Sequence, residues 1–393
     1  MRHPAGAIGA LGGRSVEEST VPAQPRVRWL AWLPLIAGAL LAVMILDALN
    51  THFVVRLLEE PTGMDTAYAR YSRGPKTQCT DNSNSQKCIA DWRKAGSPQS
   101  VLWFGNSQLH TINRQRPGDI NAPEFVRRRL AERGYYLVTY SQPNANLTEQ
   151  TLIWNAIGPV YKPKLVILEV CYDDIRELGV RDTVGAMMKD RTVAARVQSQ
   201  PYWPLMAKPL MTFNAPAKPE AKKDVSLQAY VEKQLTESLA DNWPLWKARQ
   251  GLRGALGYAI HVTRNSVLGI HSTSKRPVNP GVYRDRLRLL EGMVQDMQAQ
   301  GTGVLLYAPP YRQDIDGPYP MADYRAFKRD LAALAARYGA TFLDIDPIVP
   351  GPEWGTVPDL LFGLKEPDFM HFTAVGHARL GEAIDKETQR MGY

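Results

Sequence analysis

The chain has 393 residues, of which 44% are hydrophobic and 22% are charged, and its net charge is +8. This composition is typical of globular proteins and excludes a fibrous or wholly disordered chain. The charge excess is small for this length, and no basic cluster is interleaved with aromatic residues, so nucleic-acid binding is not expected.

An apolar segment near the N-terminus predicts a membrane anchor. Residues 1–28 have no periodic pattern and are expected to form a disordered cytoplasmic tail. The uncharged run Trp29–Leu46 follows, and as a helix it would be about 27 Å long, close to the thickness of a bilayer core. Because Arg26 and Arg28 precede it, the positive-inside rule places the N-terminus in the cytoplasm. We predict a transmembrane helix at 29–49, with a cleaved signal peptide as the alternative.

The three cysteines agree with export of the remaining chain. Cys79 and Cys88 enclose TDNSNSQK, a polar loop that a disulfide would close in an oxidising compartment. A zinc pair is the alternative, but no second ligand pair stands nearby, and neither a metal nor a cofactor is expected. Cys171 ends an apolar run and is expected to be a buried free thiol. Residues 50–99 are therefore expected to be a periplasmic linker with a disulfide loop.

Apolar runs alternate with amphipathic segments from residue 100 onwards. The predicted strands are Val101–Phe104, 135–140, Lys164–Val170, 302–308 and 340–345, and the predicted helices are 123–134, Leu147–Ile157, 283–300 and 324–339. This alternation predicts a three-layer, doubly wound parallel α/β sheet over residues 100–393. Between about 180 and 280, short segments rich in proline and tryptophan predict a mostly helical insertion at the rim of the sheet.

The two ends of this α/β domain carry a possible catalytic set. Ser107 follows the first strand, where open α/β sheets bind their ligands. Asp368 and His371 stand three residues apart, just before a helix that Thr373 is expected to cap. A carboxylate that orients an imidazole towards a serine hydroxyl is the arrangement of serine hydrolases. We therefore predict Ser107 as nucleophile, His371 as base and Asp368 as its orienter, with contacts of about 4 Å or less.

The same two segments resemble a known superfamily. FGNSQLH around Ser107 resembles the first block of the SGNH (GDSL-like) hydrolases, and DFMHFTAVGH resembles their final D-x-x-H block. Over residues 30–390 the order of features is similar to that of the membrane-anchored DltD family, including a strand that ends in Pro309 and Pro310. The resemblance implies that an acyl group, acetyl or D-alanyl, is moved on an extracytoplasmic polymer beside a polytopic MBOAT-type acyltransferase.

The predicted oxyanion region departs from the SGNH pattern. The second block of these enzymes has a glycine, whereas this chain has Asn144, Ala145 and Asn146; the third has an asparagine, whereas this chain has Asp173. Because an ionised carboxylate cannot donate a hydrogen bond, the oxyanion would rely on the Ser107 N–H together with Asn144 or Asn146.

Asp173 and its neighbour Asp174 leave two interpretations open. In the first, one of them caps a helical turn or pairs with an arginine such as Arg176. In the second, Asp173 faces the substrate and recognises a cation or a sugar hydroxyl. Of the remaining histidines, His110 is expected to point away from Ser107, with a substrate contact as the alternative, and His377 is expected to be structural.

The leading hypothesis is a periplasmic SGNH-type O-acyltransferase or esterase, anchored in the cytoplasmic membrane by one helix. The expected disulfide and the excess of arginine over lysine favour a Gram-negative periplasm, and therefore an envelope polysaccharide over a teichoic-acid-like polymer. Two alternatives to this hypothesis remain. In the first, the chain is a non-catalytic partner that binds polymer or carrier and scaffolds a membrane acyltransferase. In the second, it is a periplasmic esterase that has no partner.

Overall fold

A computed structural model describes residues 33–49, 78–79, 82–213, 264, 268–269, 271, 273–358 and 365–393. Its helices are α1 Leu33–Leu49, α2 Asn82–Lys94, α3 Ala122–Glu132, α4 Leu147–Tyr161, α5 Tyr172–Arg176, α6 Asp182–Gly185, α7 Arg191–Gln198, α8 Trp203–Leu210, α9 Pro280–Ala299, α10 Met321–Tyr338 and α11 Ala374–Arg390. Its strands are β1 Gln78–Cys79, β2 Gln99–Gly105, β3 Tyr135–Ser141, β4 Leu165–Glu169, β5 Gly303–Ala308, β6 Thr341–Asp344, β7 Trp354–Pro358 and β8 Lys365–Phe372. The predicted tail at 1–28 lies outside the described residues, as do most of the linker and residues 214–263 of the insertion.

The chain divides into two units, residues 1–54 and 55–393. In the first unit the structure describes α1, where Leu35, Ile36 and Leu40 are each more than half exposed. Within the described residues, no helix has both the length and the apolar character needed to span a bilayer. Residues 29–32 of the predicted span are not among them.

Six parallel strands form the sheet of the second unit, in the order β1-β3-β2-β4-β5-β6. Strand β4 is buried at every position, as expected for a parallel strand that is covered on both faces. The five strands predicted from the sequence are all present, with ends within two residues of the prediction. The predicted parallel α/β sheet is confirmed.

Helices cover both faces of this sheet because the side chains of each strand alternate between two cores. On β2, Leu102 and Phe104 belong to the core beneath α4, α9 and α10, whereas Val101 and Trp103 belong to the core beneath α3 and α11. All four side chains are fully buried. Each such burial stabilises the fold by about 1.5–3 kcal/mol, so the three-layer arrangement holds the C-terminal end of β2 firmly in place.

The expectation of a loop between the first two cysteines is wrong. Cys79 lies in β1, which pairs in parallel with β3, and Cys88 lies in α2, so the segment between them is largely helical. Cys88, Ile89 and Trp92 form the buried stripe of this otherwise polar helix. The disulfide Cys79–Cys88 and the buried free thiol of Cys171 are confirmed. Residues 78–94 thus belong to the sheet domain, whereas the sequence predicted a linker.

Two further features lie outside the sheet. Helices α6, α7 and α8 are short and follow β4, in agreement with the part of the predicted helical insertion that the structure describes. Strands β7 and β8 form an antiparallel pair that the sequence did not predict, since Pro367 interrupts the strand pattern of KEPDFMHF. Thr373 occupies the N-cap position of α11, but its side chain makes no capping hydrogen bond, so the expected cap is wrong.

Candidate active site

Ser107 lies in a tight turn at the C-terminal end of β2, between strands β3 and β4. The turn is one 3₁₀ helix, Ser107–Leu109, capped by Asn106, whose side-chain oxygen accepts from the N–H of Gln108 at 2.8 Å. A side chain at Gly105 would approach Glu169 Oε2 and the Leu109 side chain to 2.5 Å, so the turn requires glycine there. The central strand β2, Gly105 and the Asn106 cap together fix the position of the Ser107 hydroxyl.

The hairpin strand β8 brings the predicted base and its orienter to this hydroxyl. His371 Nε2 lies 2.9 Å from Ser107 Oγ, and His371 Nδ1 lies 3.0 Å from Asp368 Oδ2. Both predicted contacts are therefore present. Because an ionised Asp368 only accepts, Nδ1 carries the imidazole proton and Nε2 accepts from the serine O–H. This is the tautomer that a general base for Ser107 requires.

Asp368 is held as an ionised carboxylate. Burial would raise its pKa, but the neighbouring His371 and the backbone N–H groups of Met370 and His371 hold the pKa below its ordinary value. Those two N–H groups donate to Oδ1 at 2.8 and 3.0 Å. Asn113 Nδ2 donates to Oδ2 at 3.0 Å. Asn113 was not predicted from the sequence, because it is 255 residues from its partner and no local pattern marks it.

Gln108 connects the nucleophile turn to strand β8, which carries the predicted base. Its Nε2 donates to the backbone oxygens of Pro310 and Met370, both at 3.0 Å. Since both partners are carbonyl oxygens, the orientation of the amide is fixed chemically. Met370 adjoins His371 and Gln108 adjoins Ser107, so these bonds set the distance between nucleophile and base. The sequence marked the Pro-Pro pair but not its link to Gln108.

Asn146, one of the two predicted oxyanion donors, makes hydrogen bonds within the fold. Its side-chain oxygen caps α4, accepting from the N–H groups of Thr148 and Glu149 at 3.0 and 3.1 Å, and its Nδ2 donates to the backbone oxygen of Gly179 at 2.6 Å. The cap and the bond to Gly179 account for the side-chain oxygen and for one of the two amide N–H groups, so a contribution of Asn146 to an oxyanion site stays a prediction. Asn144 stands in the loop before it, exposed and with a left-handed φ of 50°. Its contribution to an oxyanion site stays a prediction.

Asp173 is paired with cations of the protein itself. Its Oδ1 accepts from Arg176 Nε at 3.2 Å, and its Oδ2 accepts from Arg276 and from the Tyr319 hydroxyl at 3.0 and 3.1 Å. Asp174 Oδ2 accepts from the N–H of Cys171 at 2.9 Å at the start of α5. The interpretation with a cap and an arginine pair is thus confirmed. Recognition of substrate by Asp173 stays a prediction, which these bonds to the protein's own groups disfavour.

A small pocket lies beside strand β8, with Met370, the residue before His371, in its wall. Apolar and aromatic side chains dominate its lining, which comprises Cys171, Tyr172, Pro309, Pro310, Tyr311, Tyr319, Tyr324, Phe369 and Met370. Two of these residues, Pro310 and Met370, supply the backbone oxygens that accept from Gln108. No side chain in this lining carries a charge under ordinary conditions.

Two other histidines lie close to this arrangement. His110 Nδ1 is 3.1 Å from Ser141 Oγ at the C-terminal end of β3, and burial together with His371 lowers its pKa to about 3. His377 is buried beneath the site; its Nδ1 accepts from the N–H of Ala122 and its Nε2 donates to Thr111 O. Both nitrogens of His377 are therefore used, in agreement with the structural role expected for it.

Within the described residues, no group of three or more histidine, cysteine, aspartate or glutamate side chains is arranged to hold a metal ion. Of the predicted site residues, the structure brings together Ser107, His371 and Asp368. It assigns Asn146 and Asp173 to the fold.

No protein-family model matches the chain, and no curated protein is similar to it at a significant level. Solved structures do align with it. A lipase/acylhydrolase from Enterococcus faecalis is 14% identical with a TM-score of 0.37, covering 75% of this chain and 96% of its own. TesA is 16% identical with a TM-score of 0.34, covering 73% and 96%. A catalytic mutant of an acetylxylan esterase from Geobacillus stearothermophilus is 12% identical with a TM-score of 0.36, covering 74% and 93%. Similarity at this level carries no functional argument, and the geometry of Ser107, His371 and Asp368 carries the proposal below.

Proposed function

We propose that the chain is a serine esterase or O-acyltransferase of the SGNH type. The observation that carries this proposal is the continuous contact from Ser107 through His371 to Asp368, with distances of 2.9 and 3.0 Å, at the C-terminal edge of a parallel sheet. A serine in an ordinary turn has no need of an imidazole that a buried carboxylate orients. The resemblance of the two flanking segments to SGNH blocks supports the same function.

The geometry supports a two-step acyl transfer. His371 Nε2 takes the hydroxyl proton of Ser107 as Oγ bonds to the ester carbonyl carbon, and Asp368 stabilises the imidazolium that results. When the tetrahedral intermediate collapses, the bond to the leaving oxygen breaks and that oxygen receives the proton from His371. A sugar hydroxyl or water then loses its proton to His371 and attacks the acyl-enzyme, which releases Ser107 with its proton restored.

The acyl group is proposed to be small and neutral, and acetyl fits better than D-alanyl. A D-alanyl ester carries an ammonium group, which needs an anionic partner, and both oxygens of Asp173 are already bound by Arg176, Arg276 and Tyr319. The aromatic pocket beside Gln108 offers apolar surface instead. Within the SGNH group, the order of features along the chain still supports a relation to the DltD family.

The proposed setting is the periplasmic side of the cytoplasmic membrane. Support comes from the uncharged run Trp29–Leu46 behind Arg26 and Arg28, and from the disulfide between Cys79 and Cys88. The proposed acceptor is an envelope polysaccharide, and the proposed partner is an MBOAT-type membrane acyltransferase that supplies the acyl group across the membrane.

A second candidate function is that of a non-catalytic partner that binds polymer and scaffolds the membrane acyltransferase. One observation favours it: Asn146 and Asp173, which stand in the oxyanion blocks, are both committed to hydrogen bonds of the fold. A site without side-chain donors stabilises an oxyanion less well.

A single substitution in cells separates the two functions. We expect Ser107→Ala, made at wild-type abundance, to remove O-acylation of the envelope polysaccharide, measured as ester content by NMR of the purified polymer. The control is Ser199→Ala, at an exposed serine that ends α7. Wild-type acylation in cells with Ser107→Ala would contradict the enzymatic function and support the scaffold.

A further inference from the structure

A carboxyl group lies inside the sheet, directly below the nucleophile turn. Glu169 is the last residue of β4 and is completely buried. Within the part of the chain that the structure describes, no lysine, arginine or histidine forms an ion pair with it. An ionised carboxylate in such a place is strongly unfavourable unless a cation compensates it, so the surroundings of Glu169 favour its neutral form.

Its hydrogen bonds come from two neighbouring strands. The Tyr307 hydroxyl on β5 donates to Glu169 Oε2 at 3.1 Å, and Trp103 Nε1 on β2 donates to the oxygen of the same hydroxyl at 3.1 Å. All three side chains are fully buried on the face of the sheet that packs against α3 and α11. The carboxyl is therefore held in one position by the core.

The carboxyl group of Glu169 also contacts Gly105 and Asn106, the two residues that precede the nucleophile Ser107. Gly105 has no room for a side chain because Glu169 Oε2 would lie 2.5 Å from its Cβ. The backbone N–H of Asn106 faces the carboxyl of Glu169. The Asn106 side chain donates at 3.5 Å to Asp174, a second buried acid. The two residues before Ser107 thus pack directly against the Glu169 carboxyl group. A change in the charge of Glu169 therefore acts on the backbone of the nucleophile turn.

We propose that Glu169 is a positioning residue that supports the nucleophile turn in its neutral, protonated form, and that its ionisation displaces Ser107 from His371. This role rests on the proposed function, since it concerns the placement of the same serine. Glu169 does not contact the substrate; it acts on Ser107 through Gly105 and Asn106.

The titration of the surrounding groups agrees with a neutral Glu169. Burial raises its pKa to about 8, although the Tyr307 hydroxyl and the Asn106 N–H act in the opposite direction. The titratable groups that face it are Tyr307 from β5 and Cys171 and Asp174 from the start of α5, and burial raises the pKa of each well above its ordinary value. Deprotonating Glu169 therefore places a charge among groups that offer no compensating cation.

The buried Glu169 makes the stability of the fold and the placement of Ser107 depend on pH. The pKa of Glu169 is higher in the folded protein than in the unfolded chain, so its contribution to stability is complete below the unfolded value of about 4.5 and is lost as the pH rises towards 8. In the folded protein the neutral fraction, and with it the fraction of molecules with a correctly placed Ser107, falls around pH 8. At pH 9, one unit above the pKa, about one tenth of the molecules retain the neutral form.

The test uses the full-length protein in detergent and the variant Glu169→Gln, which has the shape of the neutral acid and cannot ionise. Intact-mass spectrometry measures the rate at which a fluorophosphonate labels Ser107 between pH 5.5 and pH 9. We expect the wild-type rate to fall about tenfold between its maximum and pH 9, and the rate of Glu169→Gln to fall less than twofold. Glu132→Gln, at an exposed glutamate, should follow the wild type.

A second variant and a second measurement keep the proposal open to contradiction if Glu169→Gln does not fold. Tyr307→Phe removes the donor that lowers the pKa of Glu169, so its fall in labelling should move to higher pH. The Tm of the wild type should decrease between pH 5 and pH 8, whereas that of Glu169→Gln should change less. Equal falls in both proteins would overturn the positioning role alone. A wild type that is never labelled at Ser107 would overturn the proposed function and the positioning role with it.

Discussion

The two sides of the cleft around Ser107 are built differently. On the side of β8, Asp368 receives four hydrogen bonds, from two backbone N–H groups, from Asn113 and from His371, and every one of them favours the same imidazole orientation. On the side of the loops that follow β3 and β4, Asn146 caps a helix and Asp173 is held by two arginines and a tyrosine.

If the chain is the proposed serine esterase, this difference favours formation of the nucleophile over stabilisation of the oxyanion. On the β8 side the proposed base and its orienter are already in place without substrate. The opposite side uses its polar groups for folding and leaves the backbone N–H of Ser107, with Asn144, as the proposed oxyanion donors. Few side-chain donors stabilise the oxyanion, so acylation of Ser107 is harder than in an enzyme with a complete set of such donors. We infer that acylation requires either an activated ester or a partner protein that completes the site.

The largest effect is expected on the β8 side. His371→Ala removes the base and should lower the rate of p-nitrophenyl acetate hydrolysis by about 10³-fold or more, since triad members act as a unit. His271→Ala serves as the matched control, because His271 is an exposed histidine whose ring pairs with Glu366 and makes no contact with the proposed triad. Equal rates for the two variants would show that the β8 side has no catalytic part.

Asp368→Asn should have a smaller but still large effect. The amide keeps the shape of the side chain but can donate to His371 Nδ1, which favours the wrong tautomer of the base. We expect a loss of about 10²-fold in kcat with KM changed by less than about threefold. A variant that retains wild-type kcat would contradict the assignment of Asp368 as the orienter.

Gln108→Leu tests whether the distance between nucleophile and base is set by the link across the cleft. The substitution removes both donors to the backbone oxygens of Pro310 and Met370 while keeping most of the buried volume. We expect a loss of about tenfold in kcat, because a small misplacement of Ser107 relative to His371 is costly. If only the Tm falls and kcat is unchanged, the link is structural alone.

Substitutions on the opposite side should affect stability more than activity. Asn146→Ala removes the cap of α4 and should lower the free energy of unfolding by about 0.5–2 kcal/mol, measured by urea denaturation, with hydrolysis within about twofold of wild type. A tenfold slower hydrolysis with unchanged stability would restore Asn146 as an oxyanion donor.

The smallest effect on activity is expected for Asp173→Asn. One oxygen remains to accept from Arg176 or Arg276, so the melting temperature should fall slightly, and hydrolysis of a small neutral ester should stay within about twofold. A selective loss of activity towards an aminoacyl ester, with neutral esters unaffected, would contradict the proposal that Asp173 does not face substrate.

The sequence predicted the parts of this molecule that depend on local patterns. Unbroken apolar runs identified the parallel strands, and the residues at their ends identified Ser107. The spacing of Asp368 and His371 indicated their shared role, because three residues suffice to place a carboxylate beside an imidazole. The disulfide between Cys79 and Cys88 followed from spacing and composition alone.

The sequence missed the contacts that depend on distant parts of the chain. Asn113 and Gln108 act on partners more than 200 residues away, and nothing in their neighbours indicates which carbonyl or carboxylate they meet. The helix around Cys88 was missed because its buried stripe is short and its other residues are polar. The capping role of Asn146 was missed because a helix cap and an oxyanion donor are the same residue type at the same end of a strand.

The role of Ser107 as nucleophile is tested by trapping the acyl-enzyme. Full-length protein is mixed with p-nitrophenyl acetate, quenched in acid within seconds and digested, and the peptide that contains Ser107 is examined by mass spectrometry. The geometry predicts one acetyl group on Ser107, a much lower yield in His371→Ala, and none in Ser107→Ala. Acetyl groups spread over lysines, with none on Ser107 and equal yields in all three proteins, would contradict the account.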